Sequence, residues 1–345
     1  MKRRPNTTLG ILLLWALVHV ALFGCGPADT GTGEARTGEP AGTTEETTDA
    51  RTVREATTAE TSSVVEAAAA GVEEAEIREH LDHLTGVSPA PLDGREVTIS
   101  ERGSEGGRRA AAEYMVSSFE EMGIPARILE FRAEGLRGFN VEATLRGTEG
   151  GKHLWVTAHL DSVGNAGAND DASGLTSILL TAEALQRIEP RYTVHFVAFD
   201  LEELGLYGSI HYVENTVSDL REQEGDGAIV GALQSDMIAY EEGSFDAALG
   251  TCGDRSGPIE DAFSEASETL DSPIELQEVC LGRSDHQPFW DAGLPAAVLT
   301  DGAIYDGYPC YHETCDTVDK LNISYLRSII ELTSGATALL ADPRR

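Results

Sequence analysis

Two histidines and a group of carboxylates fall in four short stretches of the chain, and together they could hold metal ions around a reacting water. The first stretch is Thr157-Ala158-His159-Leu160-Asp161-Ser162, followed at once by Gly167-Ala168-Asn169-Asp170-Asp171-Ala172-Ser173-Gly174. The second is Phe199-Asp200-Leu201-Glu202-Glu203-Leu204-Gly205. Ser235-Asp236-Met237 is the third, and Cys310-Tyr311-His312-Glu313-Thr314-Cys315-Asp316 the fourth. Neutral imidazole and carboxylate are common zinc ligands. Two metal ions side by side can lower the pKa of a water and clamp a carbonyl, which is the chemistry of metal-assisted hydrolysis.

Each motif has its own physical logic. Asp161 lies two residues after His159, from where it could reach the far ring nitrogen and fix the imidazole tautomer. Asp170-Asp171 sits in a Gly/Asn-rich turn just before an apolar helix. One acid of such a pair can cap the helix while the other projects into a cleft and bridges two metals. Adjacent side chains on an extended segment point in different directions. One of Glu202 and Glu203 can therefore bind metal while its neighbour faces the attacking water and takes its proton. The remaining histidines lack this context. His80 and His83 are expected at the surface of an early helix, and His153, His195 and His211 in elements without partner acids at ligand spacing. His286, within Arg283-Ser284-Asp285-His286-Gln287-Pro288-Phe289, is a candidate for lining the substrate cleft.

These motifs need strands to position them. His153 to Ala158 reads as a short apolar strand that enters the His159 motif, and Tyr192 to Phe199 as a buried strand that leads to the Glu pair. Ala228 to Gln234 leads to Asp236, Ala296 to Thr300 is a late strand, and Ala126 to Phe131 and Phe139 to Leu145 are earlier ones. Helical spacing marks Val64 to Leu84, Arg108 to Met122, Ser173 to Ile188, Gly208 to Thr216 and Asn322 to Leu340. Strands alternating with helices predict an α/β fold: a single globular domain with a central mixed, mostly parallel sheet flanked by helices. In such sheets ligands collect at the carboxyl ends of the strands, where these motifs fall.

The rest of the chain bounds the reading. The net charge is -34, which argues against nucleic acid as a partner, because phosphates would repel it. Lys2-Arg3-Arg4 followed by the apolar run Leu9 to Phe23 has the form of an export signal, too short for a comfortable transmembrane helix. It ends in Leu22-Phe23-Gly24-Cys25, similar to a bacterial lipobox; residues 1–24 are then a lipoprotein signal peptide and Cys25 carries lipid, with plain secretory cleavage as the alternative. Residues 25–61, rich in Thr, Gly and Glu, cannot bury enough apolar surface to fold and are expected to form a flexible tether, with the catalytic domain at 62–345. The expected location is the bacterial cell envelope, exported and lipid-anchored. Four cysteines remain for two disulfides in an oxidising compartment; Cys310–Cys315 is the tightest candidate and Cys252–Cys280 follows by elimination.

From about Ala75 to the C-terminus the ordered motifs resemble the zinc aminopeptidases of metallopeptidase family twenty-eight. The resemblance implies the same α/β fold, two zinc ions and peptide substrates with a free N-terminus. It implies His159, Asp170, Glu203, Asp236 and His312 as metal ligands, with Asp170 bridging and a cis peptide after it. Asp161 would orient His159, Glu202 would be the general base, and Tyr311 would stabilise the oxyanion. Two zinc ions are balanced in formal charge by Asp170, Glu203, Asp236 and a bridging hydroxide, so a neutral buried site is reasonable. Rival readings are a carboxypeptidase or other amidohydrolase on the same metals, a one-zinc glutaminyl cyclase, and a non-catalytic binding lipoprotein.

Overall fold

The computed structural model describes residues 61–92, 94–243, 246–303 and 307–341. The expected signal peptide 1–24, the lipidated Cys25 and all but the last residue of the expected tether lie outside the described residues. Among the described residues there are ten strands: β1 (Ala90–Leu92), β2 (Arg95–Val97), β3 (Ala126–Ala133), β4 (Leu136–Leu145), β5 (His153–His159), β6 (Thr193–Phe199), β7 (Ile229–Ser235), β8 (Ala247–Gly250), β9 (Leu276–Val279) and β10 (Ala296–Asp301). β1 and β2 pair as a small hairpin, and the other eight form one mixed sheet in the order β3-β4-β6-β5-β7-β10-β8-β9. Its centre, β6-β5-β7-β10, is parallel throughout. β3, β4 and β8 join antiparallel to their inner neighbours, and β9 runs parallel to β8.

The parallel centre dictates the helices. Parallel neighbours need a crossover, and each crossover lays a helix on a sheet face. Ser173–Ile188 makes the crossover from β5 to β6, and the helical run from Tyr207 to Glu224 makes the one from β6 to β7. Strands covered on both faces read as continuous apolar runs, and Phe196, Val197, Ala198 and Phe199 are all fully buried. One core joins the sheet to Ser173–Ile188, Glu105–Glu121, Ile259–Leu270 and the C-terminal helix Ile323–Leu340, through Leu179, Phe119, Phe263 and Ile330 among others. A second core on the other face holds Trp155, Phe199, Tyr212, Phe289 and Trp290. Each such large apolar side chain contributes roughly 1.5–3 kcal/mol when fully buried.

Local chemistry explains the boundaries. Ser104 caps Glu105–Glu121 by accepting from the Gly107 N–H, and Asn322 caps the C-terminal helix by accepting from Tyr325. The long helical stretch expected over Val64 to Leu84 is broken: residues 61–69 and Glu74–Leu84 are separate helices, with Gly71 between them at φ +93°. That left-handed turn is one glycine adopts without strain. The segment expected to be helical over Gly208 to Thr216 splits into Tyr207–Tyr212 and a wider turn over Val213–Val217. The hairpin, β8, β9 and Ile259–Leu270 are not anticipated by the sequence reading. Three- and four-residue strands are too short to show a period, whereas Ile259, Ala262, Phe263 and Ala266 do recur at helical spacing. Both expected disulfides, Cys252–Cys280 and Cys310–Cys315, are formed. Among the described residues no helix is long and apolar enough to cross a membrane.

Candidate active site

The carboxyl ends of three adjacent parallel strands converge. His159 is the last residue of β5, the Glu202-Glu203 pair follows β6, and Asp236 follows β7. The backbone turns sharply there: Leu201 (φ +63°), Met237 (φ +54°) and His312 (φ +58°) are all non-glycine residues in the left-handed region. Such residues persist where the surrounding contacts over-determine them, and they concentrate at functional sites.

The side chains meet in two clusters that share one acid. His159 Nε2 lies 2.9 Å from Asp170 Oδ1 and 3.6 Å from Asp236 Oδ1. His312 Nε2 lies 2.9 Å from Glu203 Oε2 and 3.4 Å from Asp170 Oδ2. Asp170 therefore presents one oxygen to each imidazole. His159, Asp170 and Asp236 form one group, and Asp170, Glu203 and His312 the other, each with its ligand atoms within 4.8 Å of one another. Each group offers a cation one imidazole nitrogen and two carboxylate oxygens, a donor set that suits zinc.

The electrostatics match such a use. Glu203 Oε1 is buried with no hydrogen-bond partner. Burial and the Asp170 charge push the Glu203 carboxyl up to about 8. Burial works against a charged His159, yet Asp161, Asp170 and Asp236 outweigh it and hold its pKa well above the ordinary value. Carboxylates packed together away from water repel one another and draw positive charge. Metal cations would relieve that repulsion.

A layer of buried groups aims these ligands. The Asp170–Asp171 peptide is cis. The two acids diverge: Asp170 faces the imidazoles, while Asp171 accepts from the backbone N–H groups of His159 (3.1 Å), Gly174 (2.8 Å) and Met237 (3.3 Å). Asp171 thus both caps the following helix and ties the ends of β5 and β7 to it. Asp161 differs from its expected contact. Its carboxylate accepts from the N–H groups of Glu202 (3.0 Å) and Glu203 (3.3 Å), and it is the Asp161 carbonyl oxygen that lies 3.1 Å from His159 Nδ1, with the nearer carboxylate oxygen at 3.7 Å.

Three further positioning groups escape sequence reasoning. Asp316 accepts from the N–H groups of Asn169 (2.8 Å) and Asp170 (3.1 Å) and from the Tyr308 hydroxyl (2.9 Å), linking the His312 loop to the Asp170 turn. Asp301, at the end of β10, accepts from Asn169 Nδ2 at 2.9 Å. Arg102 is completely buried and donates to the carbonyls of Leu160 (2.8 Å), Leu84 (3.0 Å), Ala166 (2.7 Å) and Gly167 (2.9 Å). Asp316 lies in the fourth motif and had a signal; Arg102, in an ordinary turn, had none.

These groups open onto a cleft of about 570 Å³. Its walls carry the clustered residues, Glu202, and the apolar or aromatic Met237, Leu281, Val298, Tyr308 and Tyr311. Burial, reinforced by the charges of Asp285, Asp236 and Asp161, pushes the Glu202 carboxyl well above its usual range. Tyr311 is half exposed and stacks on the His312 ring at 3.8 Å. All eight residues singled out for chemistry are therefore at or directly behind one cleft.

Several histidine readings need correction. His286 does not line the cleft: it is fully buried behind the wall and its Nε2 lies 2.7 Å from the Leu281 carbonyl. His80 and His83 are half-buried rather than at the surface, and both pack on Tyr114. His153 and His195 do find acids, Glu224 and Glu142, contributed by distant segments. His211 stacks on Phe131.

Comparison with known proteins agrees with the geometry. The profile of peptidase family M28 matches residues 140–337. The chain is 31% identical over 235 residues to leupeptin-inactivating enzyme 1 of Streptomyces exfoliatus, covering 63% of this chain and 51% of that protein. It is 32% identical over 191 residues to aminopeptidase YwaD of Bacillus subtilis, covering 53% and 40%. The chain thus spans about half or less of the length of these curated relatives. Among solved structures, a zinc aminopeptidase from Bacillus subtilis superposes with a TM-score of 0.65 at 16% identity, covering 77% of this chain and 94% of that one. A glutaminyl cyclase from Fimbriiglobus ruber gives a TM-score of 0.62 at 18% identity, covering 78% and 96%; at these identities the likeness speaks for the fold. With the profile spanning more than half the sequence and the clustered ligands within or beside its matched segment, the chain belongs to peptidase family M28.

Proposed function

We propose that this chain is an aminopeptidase that uses two zinc ions to hydrolyse the first peptide bond of substrates with a free N-terminus. The carrying observation is Asp170, whose two carboxylate oxygens face two separate His–carboxylate clusters at the floor of one cleft. His159 and Asp236 would hold one ion, Glu203 and His312 the other, with Asp170 common to both. When bound, zinc lowers the pKa of a water and polarises the scissile carbonyl.

The protein's own groups carry the remaining steps. Among the described residues, Glu202 is the cleft carboxylate that belongs to neither cluster, and burial raises its proton affinity. It is suited to take a proton from the attacking water and pass it to the leaving amine. The Tyr311 hydroxyl would donate to the substrate carbonyl oxygen as negative charge develops on it. A protonated N-terminal amine is drawn to the acidic walls. The lipid anchor on Cys25 and the envelope location belong to the same reading, supported by the basic-then-apolar leader that ends at Gly24-Cys25.

The test is hydrolysis of leucyl-p-nitroanilide by the purified protein lacking its leader and tether, before and after chelation, beside Glu202→Gln. Chelation should abolish activity and zinc should restore it. Glu202→Gln should lower kcat by roughly 10²–10⁴-fold while binding the same amount of zinc. Activity that survives chelation, or a fully active Glu202→Gln, would sink the mechanism.

A further inference from the structure

We infer that Asp200, gripped by Arg108, is a positioning residue that sets the directions of Glu202 and Glu203. The inference rests on the peptidase reading above and deepens it, since Asp200 acts through the two glutamates.

Asp200 belongs to the second sequence motif, yet no step of the proposed chemistry uses it. It lies between the end of β6 and the Glu pair and is completely buried. Its Oδ1 lies 3.0 Å from Arg108 Nε and accepts from the Leu201 N–H at 2.9 Å; its Oδ2 accepts from the Phe139 N–H at 2.9 Å. The Arg108 guanidinium, also buried, donates onward to the carbonyls of Gly103 (2.5 Å) and Arg137 (3.1 Å). The Asp200 N–H donates to Asn140 Oδ1 at 2.9 Å, and Asn140 Nδ2 donates to the Gly208 carbonyl at 2.9 Å. Asp200 and Asn140 thus tie the helix Glu105–Glu121 and β4 to both sides of the turn that carries the glutamates.

That turn needs holding. Leu201 is a buried non-glycine residue at φ +63°, a conformation that persists only where contacts impose it. Its N–H goes to Asp200, its carbonyl accepts from the Tyr207 N–H at 3.1 Å, and the next two N–H groups go to Asp161. Asp200 fixes the residue that reverses the chain, and Asp161 fixes the amides of the glutamates themselves. With the chain turned at Leu201, Glu203 reaches His312 at 2.9 Å and Glu202 lines the cleft.

Stability alone does not explain the pair. Burial and the Asp161 charge push the Asp200 carboxyl up to about 7 despite Arg108. A buried ion pair often stabilises a fold no better than apolar side chains of its size. What this one supplies is direction, through charge-assisted hydrogen bonds that hold the backbone in one place.

A double-mutant cycle separates positioning from general support. With zinc saturating and well below the unfolding temperature, Asp200→Asn should lower kcat roughly 10–100-fold with KM nearly unchanged. In the Glu202→Gln background the same substitution should change kcat less than about twofold, because the group it aims is already gone. An unchanged kcat, or the same fold-loss in both backgrounds, would mean a merely structural role and would overturn the inference. Asp200→Asn leaves Arg108 buried without a counter-charge; should that variant not fold, Asp200→Asn combined with Arg108→Gln removes both charges and enters the same cycle with the same expectation. If the native protein hydrolyses no peptide, or Glu202→Gln is fully active, the peptidase reading fails and zinc binding decides alone. Zinc affinity, measured by chelator competition, should then fall roughly 10–100-fold in Asp200→Asn and fall no further when Asp200→Asn is added to Glu203→Gln. Unchanged affinity, or an equal fall in both backgrounds, would overturn the inference.

Discussion

Glu142 should account for a measurable part of the acid sensitivity of this fold. It sits on β4, 4% exposed, and three side chains meet at it. Arg127, opposite it on β3, donates at 2.6 Å; the Tyr212 hydroxyl donates at 2.6 Å; His195 Nδ1 lies at 3.2 Å. His195 in turn contacts His153 at 2.9 Å, and His153 reaches Glu224 at 3.3 Å. Burial alone would raise the Glu142 pKa, but the hydrogen bonds from His195, Tyr212 and Arg127 outweigh it and hold the group at about 2 rather than the ordinary 4.5. As pH falls below 4.5 the unfolded chain takes up this proton first, so the unfolded state is favoured. The stabilisation from Glu142 is full above that pH and is lost as pH falls to about 2. A shift of this size corresponds to about 3 kcal/mol.

Glu142→Gln keeps the shape and removes the charge. Equilibrium denaturation of the native protein and the variant, both metal-free so that zinc release does not intrude, should be followed from pH 7 to pH 2. At pH 7 the variant should be less stable by on the order of 3 kcal/mol, since Arg127 and the Tyr212 hydroxyl lose a charged acceptor. The gap should narrow between pH 4.5 and pH 2 and close near the lower limit. A gap that stays constant across this range would refute the reasoning, because it would mean that packing, and not the ionised carboxylate, supplies the energy.

Two further predictions concern the scaffold of the site. A Cβ at Gly174 would press on the Asp171 carboxylate and lie 2.5 Å from the Ser235 carbonyl, so Gly174→Ala should destabilise by roughly 1–3 kcal/mol and weaken zinc binding, read by thermal unfolding with and without zinc. Arg102→Met would leave the Leu84, Leu160, Ala166 and Gly167 carbonyls unpaired beside the Asp170 turn; zinc affinity should fall roughly 10–100-fold, and unchanged zinc affinity would show that the turn is held without it.

The chemistry of the site was legible because it depends on residue type and local position. Imidazole and carboxylate groups placed just after apolar, strand-like runs already point to a metal site at the carboxyl edge of a parallel sheet. The disulfides were legible from parity and spacing. The division between Asp170 and Asp171 was half legible: an acid pair before a helix allows a cap and a ligand, but assigning each role from the residues alone needs the turn geometry. Only the tertiary structure decided which groups aim the ligands. Arg102 gathers carbonyls from both sides of the His159 motif, Asp161 receives amides from the turn after β6, 41 residues on, and His195 meets an acid 53 residues before it. No local pattern encodes these contacts, because they follow from strand order. β6 and β7 lie on either side of β5, so the chain ends that carry the Glu pair and Asp236 are brought to His159 by hydrogen-bonded register and by the helices packed over it. Sequence periodicity reports which face of an element is apolar; it does not report which neighbour that face, or the loop beyond it, will meet.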